Sequence, residues 1–301
     1  MRPPPFDYLE PTSVAQACAD LARHRERCAV LAGGQSLVAQ LNSRLRRPEF
    51  VLSIARIPEL AIVSIEGSGP GSELSIGASV TQREVQRGPA GDAVPVLRAA
   101  LDCVGHVPTR NRGTVGGSIA FADPTAELPA VLLGLGGSVR LRSDVRERTV
   151  PADEFFLGPF RTAMWPDELL TAVCLPVPDG VWVFEQRHFR RHAKVSVVAG
   201  LDGAGVDSAG IDGGWLDRAR LTVAVAGVTD TPVLLADAAE RFASGVTPSD
   251  GIAAVAVGVA GLVTPNADHY GSPEYRRRLA VAATEAALRR VLGLAPKVEA
   301  A

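Results

Sequence analysis

Apolar positions recur along this chain with two periods, and the switches between them mark its elements. Val14, Cys18, Leu21 and Ala22 fall three or four residues apart, on one face of a helix over 13–24. Ser13 and Gln16 open that helix in a capping-box pattern that satisfies its first free N–H groups. The apolar run 29–32 reads as a strand that stops at Gly33-Gly34. Leu37, Val38, Leu41 and Leu45 then return to helical spacing, and Phe50-Val51-Leu52 reads as a second strand. The pattern therefore predicts a strand, glycine turn, helix, strand unit.

Residues 73–78 alternate as a strand does, and Val94, Leu97, Leu101 and Val104 make another helical stripe. A glycine-rich stretch, 111–118, follows. Asp123-Pro124 reads as an N-cap with proline in the first turn. Leu128, Val131, Leu132 and Leu135 form that helix's buried face, ended by Gly136-Gly137. Val139 and Leu141 alternate with Arg140 and Arg142, as on an exposed strand. Pro176-Val177-Pro178-Asp179-Gly180 is the strongest linker signal. Beyond it the texture changes to three strands (181–184, 195–198, 221–226), with a hairpin loop over 202–214. Helices follow near 235–243, 250–261 and from Ser272 to Gly293. Strands followed by helices indicate an α+β fold for this second part.

Composition narrows the classes. At roughly 100–200 residues per domain, 301 residues suggest two domains. Acids and bases nearly balance, 33 against 31, so no basic excess exists to neutralise a nucleic-acid backbone. No apolar run reaches the roughly 18 residues of a membrane span, and the first residues lack the apolar core of a secretory signal. The four cysteines, Cys18, Cys28, Cys103 and Cys174, are dispersed without a Cys-x-x-Cys pair. That usage fits reduced thiols in a cytoplasmic protein, and it provides no clustered thiolates for an iron–sulfur centre.

Several catalytic motifs are missing, including the P-loop, Gly-x-Gly-x-x-Gly opening a helix, His-Glu-x-x-His and Gly-x-Ser-x-Gly. Residues 67–71 read as a surface turn, Cys103 and His106 as a buried thiol and a helix-end histidine, and Arg276-Arg277-Arg278 as the solvated side of a helix. Two loops remain. Gly33-Gly34-Gln35-Ser36 joins a strand to a helix, where successive N–H groups face outward and missing side chains permit close approach of an anion. Thr114-Val115-Gly116-Gly117-Ser118 has the same character, with flanking hydroxyls. Alone, such a glycine pair before a helix is more often a plain turn; two in one chain point to a ligand with two phosphates, a dinucleotide.

The segments 31–37, 110–120 and 122–130 resemble the flavin subunit of the molybdenum hydroxylases. This is the medium subunit of carbon-monoxide dehydrogenase and the middle domain of xanthine dehydrogenase. The likeness runs from Phe6-Asp7-Tyr8 to Gly271-Ser272-Pro273-Glu274-Tyr275-Arg276. It implies a PCMH-type FAD-binding domain over 1–177, in two parts (1–57 and 58–177), and a C-terminal α+β domain over 180–294. By that resemblance Ala32, Gly33, Gly34, Gln35, Ser36 and Leu37 wrap the pyrophosphate of a non-covalent FAD. Thr114, Gly116, Gly117 and Ser118 hold the same diphosphate and the ribitol, Asp123 and Glu127 the sugar or adenosine, and Leu170 an apolar contact near the adenine. Departures from the family pattern are Gln35 for His or Asn, Phe121 for His, and Lys194 for Asp in a segment near the flavin ring.

The resemblance further implies electron relay. A large molybdopterin subunit oxidises the substrate, and a small subunit with [2Fe–2S] clusters passes electrons to FAD on this chain. An external acceptor then takes them, within a hetero-hexamer. Two rivals stand beside this reading: a stand-alone FAD oxidoreductase of the same fold, like the enolpyruvyl-glucosamine reductase of cell-wall synthesis, and a scaffold that has lost its flavin.

Overall fold

The computed structural model describes residues 3–188, 195–202, 220–263 and 271–294. They form two compact units that do not follow chain order. The first comprises Met1–Ala93, Val104–Asp123 and Gly136–Pro176; the second comprises Val94–Cys103, Pro124–Leu135 and Val177–Ala301.

The first unit holds a small parallel sheet in the order Asp7–Leu9, Phe50–Ser53, Cys28–Leu31. Helix Val14–His24 precedes Cys28–Leu31, burying Val14, Ala17, Cys18 and Leu21. Ser13 accepts from the Gln16 N–H as the capping pattern requires, but the Gln16 side chain reaches back to the Thr12 N–H, at 3.0 Å. Helix Leu37–Asn42 connects the strands Cys28–Leu31 and Phe50–Ser53 and buries Leu37 and Leu41. Leu45, expected on its buried stripe, lies beyond the helix and is 79% exposed. A five-stranded antiparallel sheet follows, in the order Val63–Glu66, Glu73–Gly77, Leu169–Pro176, Ser138–Arg142, Glu147–Pro151. The Gly67–Gly71 stretch is the turn of its first hairpin, and Gly67, Gly69 and Gly71 all have positive φ.

The second unit is a four-stranded antiparallel sheet, Gly180–Arg187, Val195–Asp202, Arg220–Ala226 and Val233–Leu234, covered on both faces. On one face Val195, Val197, Ala199 and Leu201 join a core with Val255, Val259, Ala283 and Leu288 of helices Pro248–Leu262 and Pro273–Val291. On the other, Val198 and Ala224 meet helix Glu127–Gly134 so closely that a Cβ on Gly134 would lie 2.9 Å from Val198 Cγ1. Coverage of both faces explains why strand 195–201 is apolar at nearly every position rather than alternating.

Three further expectations need correction. The helix expected from Asp123-Pro124 starts at Glu127 with Ala126 at its N-cap, although Leu128, Val131, Leu132 and Leu135 are buried as expected. Arg276 is not on a solvated face: it is 6% exposed, and its guanidinium donates to Gly227 O at 2.9 Å. Cys103 is half-buried at the end of helix Pro95–Cys103. Lys194 and nearly all of the loop expected over 202–214 lie outside the described residues.

Candidate functional site

The first glycine loop leaves strand Cys28–Leu31 at its C-terminal end, where parallel strands commonly present ligands. Gly34 has φ +74°, a conformation costly for any residue with a Cβ. The turn leaves the N–H groups of Gly34, Gln35, Ser36 and Leu37 without a partner among the described residues. Ser36 stands at the N-cap without capping through its hydroxyl, and the Gln35 amide folds back toward Gly33 O at 3.4 Å. Helix Leu37–Asn42 has only six residues, so its dipole adds little. Four consecutive open donors are the main attraction for an anion.

The second loop rests on the segment 78–82. Gln82 N–H donates to Gly113 O at 2.8 Å, Val115 N–H to Val80 O at 3.1 Å, and Thr81 bridges Thr114. Gly116 sits so close to this seat that a Cβ would lie 2.6 Å from Ala78 Cα. Thr114 Oγ1 accepts from Gly117 N–H at 2.9 Å and caps helix Val115–Phe121. That acceptor, expected to face a phosphate, is therefore already engaged, while the Gly116 N–H has no partner among the described residues. Arg110, which sequence reasoning missed, is buried and donates to Val104 O at 2.8 Å, holding helix Val107–Arg112 before the loop. Gln82 was also missed; it is 4% exposed, its Oε1 has no partner among the described residues, and a Cβ on Gly113 would come within 3.1 Å of that atom. Neither residue carries a sequence signal, because isolated polar side chains become informative only when seen buried.

The two loops abut. A Cβ on Gly33 would lie 2.1 Å from Arg112 O, and one on Gly117 would lie 3.3 Å from Ala32 Cβ. The structure thus brings together 32–37 and 112–118, which are some 80 residues apart in sequence. At the exit of the second loop, Ala122 (φ 50°) and Phe160 (φ 56°) are joined by a Phe160 N–H to Ala122 O bond of 2.9 Å. Phe121 packs on the Phe160 ring at 5.0 Å, which accounts for an aromatic side chain there. Asp123 ends this segment in the first unit. Leu170 is 3% exposed in strand Leu169–Pro176. Glu127 belongs to the second unit, 4% exposed, and accepts from Gln186 Nε2 at 3.0 Å.

Burial pushes the Cys18, Cys28 and Cys174 thiols up to about 11, so all three are inert, protonated side chains at neutral pH. Among the described residues, no group of three or more His, Cys, Asp or Glu side chains is arranged to hold a metal, and no helix is long and apolar enough to cross a membrane.

Residues 4–178 match the family described as the FAD binding domain in molybdopterin dehydrogenase. The chain belongs to this family. FAD is its cofactor, and it is a flavoprotein subunit of an oxidoreductase. The beta subunit of a Pseudomonas caffeine dehydrogenase is 37% identical over 243 residues, covering 77% of this chain and 76% of that protein. Subunit alpha of the 6-hydroxypseudooxynicotine dehydrogenase complex of Paenarthrobacter nicotinovorans is 32% identical over 294 residues, covering 97% and 96%. Among solved structures, carbon monoxide dehydrogenase from Hydrogenophaga pseudoflava superposes with a TM-score of 0.85 at 28% identity, covering 97% of this chain and 99% of that one. Quinoline 2-oxidoreductase from Pseudomonas putida 86 gives 0.84 at 29%, covering 97% and 99%. The glycine loops have the chemistry a diphosphate would need: their open N–H donors could face its negative charge, and a Cβ at Gly33 or Gly117 would crowd the junction where the loops meet.

Proposed function

We propose that this chain is the FAD-carrying electron-transfer subunit of a molybdopterin-dependent hydroxylase or dehydrogenase. The observation that carries the reading is the row of four open N–H groups at 34–37, set against a second glycine loop, in a chain of this family. Ala32, Gly33, Gly34, Gln35, Ser36 and Leu37 form one wall of the diphosphate site; Thr114, Gly116, Gly117 and Ser118 form the other. Asp123, Glu127 and Leu170 serve the sugar and adenine side, and Lys194 the ring side, on the strength of the family resemblance. Bound FAD supplies one- and two-electron redox chemistry. This chain's part is to orient the cofactor through backbone donors and to leave its ring uncrosslinked, since neither loop holds a histidine or cysteine.

In this reading electrons arrive from [2Fe–2S] clusters of a small subunit, after substrate oxidation on a large molybdopterin subunit, and leave to an external acceptor. The complex is a cytoplasmic hetero-hexamer of two three-subunit protomers. The naming of relatives as subunits of dehydrogenase complexes supports the partners. We also take 1–177 (parts 1–57 and 58–177) and 180–294 as the two domains, a division that the family match over 4–178 supports.

The test is purification from the native host. About one FAD per chain is expected, released completely by acid precipitation, with molybdenum and iron co-eluting. Flavin retained in the acid pellet sinks the non-covalent assignment. A chain that elutes alone and fully active, without either metal, establishes the stand-alone oxidoreductase instead.

A further inference from the structure

Arg110 is a buried cation, 8% exposed, on helix Val107–Arg112 at the entry to the second glycine loop. Its Nη1 donates to Val104 O at 2.8 Å and its Nε to Gln86 Oε1 at 3.3 Å, both neutral acceptors. Gln86, itself buried on helix Gln82–Arg87, also accepts from Arg83 Nη1 at 2.7 Å. Two guanidiniums thus converge on one amide oxygen. Among the described residues Arg110 forms no ion pair. Taking a guanidinium out of water without an anion to match it is costly.

The surrounding sequence is equally one-sided. The stretches 27–48 and 103–122, which carry the two glycine loops, contain no Asp or Glu, although the chain has 33 acids. Arg110 also stands close to where the loops meet: three residues on, the Cα of Gly113 would lie 2.7 Å from a Cβ built on Gly33. The open N–H groups at 34–37 and at Gly116 offer donors but only partial charge. Arg110 offers a full one, and in a protein interior a charge acts beyond contact distance because the effective dielectric is well below that of water.

We propose that Arg110 supplies the counter-charge for the FAD diphosphate, acting on it through the second loop. Val104 O and the Gln86 amide hold the guanidinium without cancelling its charge; a carboxylate in their place would cancel it. The anion that matches Arg110 then arrives with the cofactor. The proposal deepens the assignment of FAD to these loops and rests on it.

The experiment titrates FAD into the full chain after its flavin has been removed, with ADP as a competitor that carries the diphosphate and no flavin. Gln86→Glu sets a carboxylate against Arg110 and Arg83. It should raise the melting temperature of the flavin-free chain, yet weaken FAD and ADP by the same factor, about tenfold. Those opposite signs separate the proposal from a purely structural role, in which better pairing of Arg110 stabilises the chain and leaves FAD affinity alone. Arg110→Gln keeps hydrogen-bond donors without the charge and should also weaken both ligands about tenfold. Arg110→Lys keeps the charge and should stay within about threefold of the wild type. Circular dichroism of all three variants should match the wild type.

Wild-type FAD affinity in both Gln86→Glu and Arg110→Gln overturns the proposal. So does an Arg110→Lys chain as weak as Arg110→Gln, since geometry rather than charge is then the cause. A loss for FAD with none for ADP moves the charge to the flavin end and overturns it as well. A wild-type chain that binds neither ligand overturns the placing of FAD in these loops together with the proposal; variants that bind as the wild type does overturn the proposal alone.

Discussion

Glycine does three separate jobs within the paired loops. Gly34 supplies a positive φ, Gly33 and Gly116 allow backbone to touch backbone, and Gly117 leaves room beside Thr114 and Ala32. Substitutions should therefore separate. In Gly117→Val the new Cβ would lie 2.7 Å from Thr114 Oγ1, which displaces the cap and narrows the site. We expect FAD affinity to fall about a hundredfold, equivalent to roughly 3 kcal/mol, with about 1 kcal/mol of stability lost from the disturbed cap. Flavin titration and thermal melting check both. Gly33→Ala drives a Cβ into the Arg112 carbonyl and should damage the junction of the loops as well as the affinity. Glycine pairs are visible in a sequence, but the division of labour among them depends on which backbone lies opposite.

At the scale of elements, Glu168 ties the start of strand Leu169–Pro176 to the hairpin of Ser138–Arg142 and Glu147–Pro151. Its carboxylate, with no exposed side-chain surface, takes Arg148 through both oxygens at 2.8 Å, and also Trp165 N–H at 2.8 Å and Arg146 Nε at 3.4 Å. Burial alone would raise its pKa; the Arg148 hydrogen bonds, the Trp165 N–H and the charge and hydrogen bond of the arginines outweigh that, and hold it below the ordinary carboxylate value. A depressed native pKa gives stability that is complete above the unfolded value, about 4.3, and lost as pH falls through the native value. Glu168→Gln should cost about 3 kcal/mol at neutral pH, because Arg148 is left partly buried without its charge partner. It should also flatten the acid limb of the stability curve below about pH 4.3. Denaturant unfolding across that range measures both. The alternation of residues 139–142 announced this strand, but the ion cluster behind it has no periodicity and was not legible.

The whole molecule interleaves its chain between two units. Helices Pro95–Cys103 and Glu127–Gly134 lie in the first 177 residues, yet both pack within the second unit, the latter against Val198 and Ala224. A fragment of residues 1–177 would expose Leu97, Leu101, Leu128, Val131 and Leu132, all buried in the full chain. We expect it to aggregate or to bind a hydrophobic dye strongly, where the full chain does neither; light scattering and dye fluorescence decide this.

Local order was readable because it depends on neighbours along the chain. The stripe of Val14, Cys18 and Leu21, the turn at Gly33-Gly34 and the helix buried through Leu128, Val131 and Leu132 follow from periodicity and backbone freedom. The same reasoning extended a helix to Leu45, started another at Asp123 and placed Arg276 in solvent. Two of those outcomes were set by distant partners, Glu127 packing in the second unit and the Gly227 carbonyl receiving Arg276, while Leu45 was turned out by the local helix-end turn that returns its N–H to the Gln40 carbonyl. The sequence by itself thus determined the strongly periodic elements and the presence of two glycine loops next to helices. Only the tertiary structure decided that those loops touch, through Gly33 against the Arg112 carbonyl, because contact between residues some 80 positions apart is specified by the packing of the intervening chain.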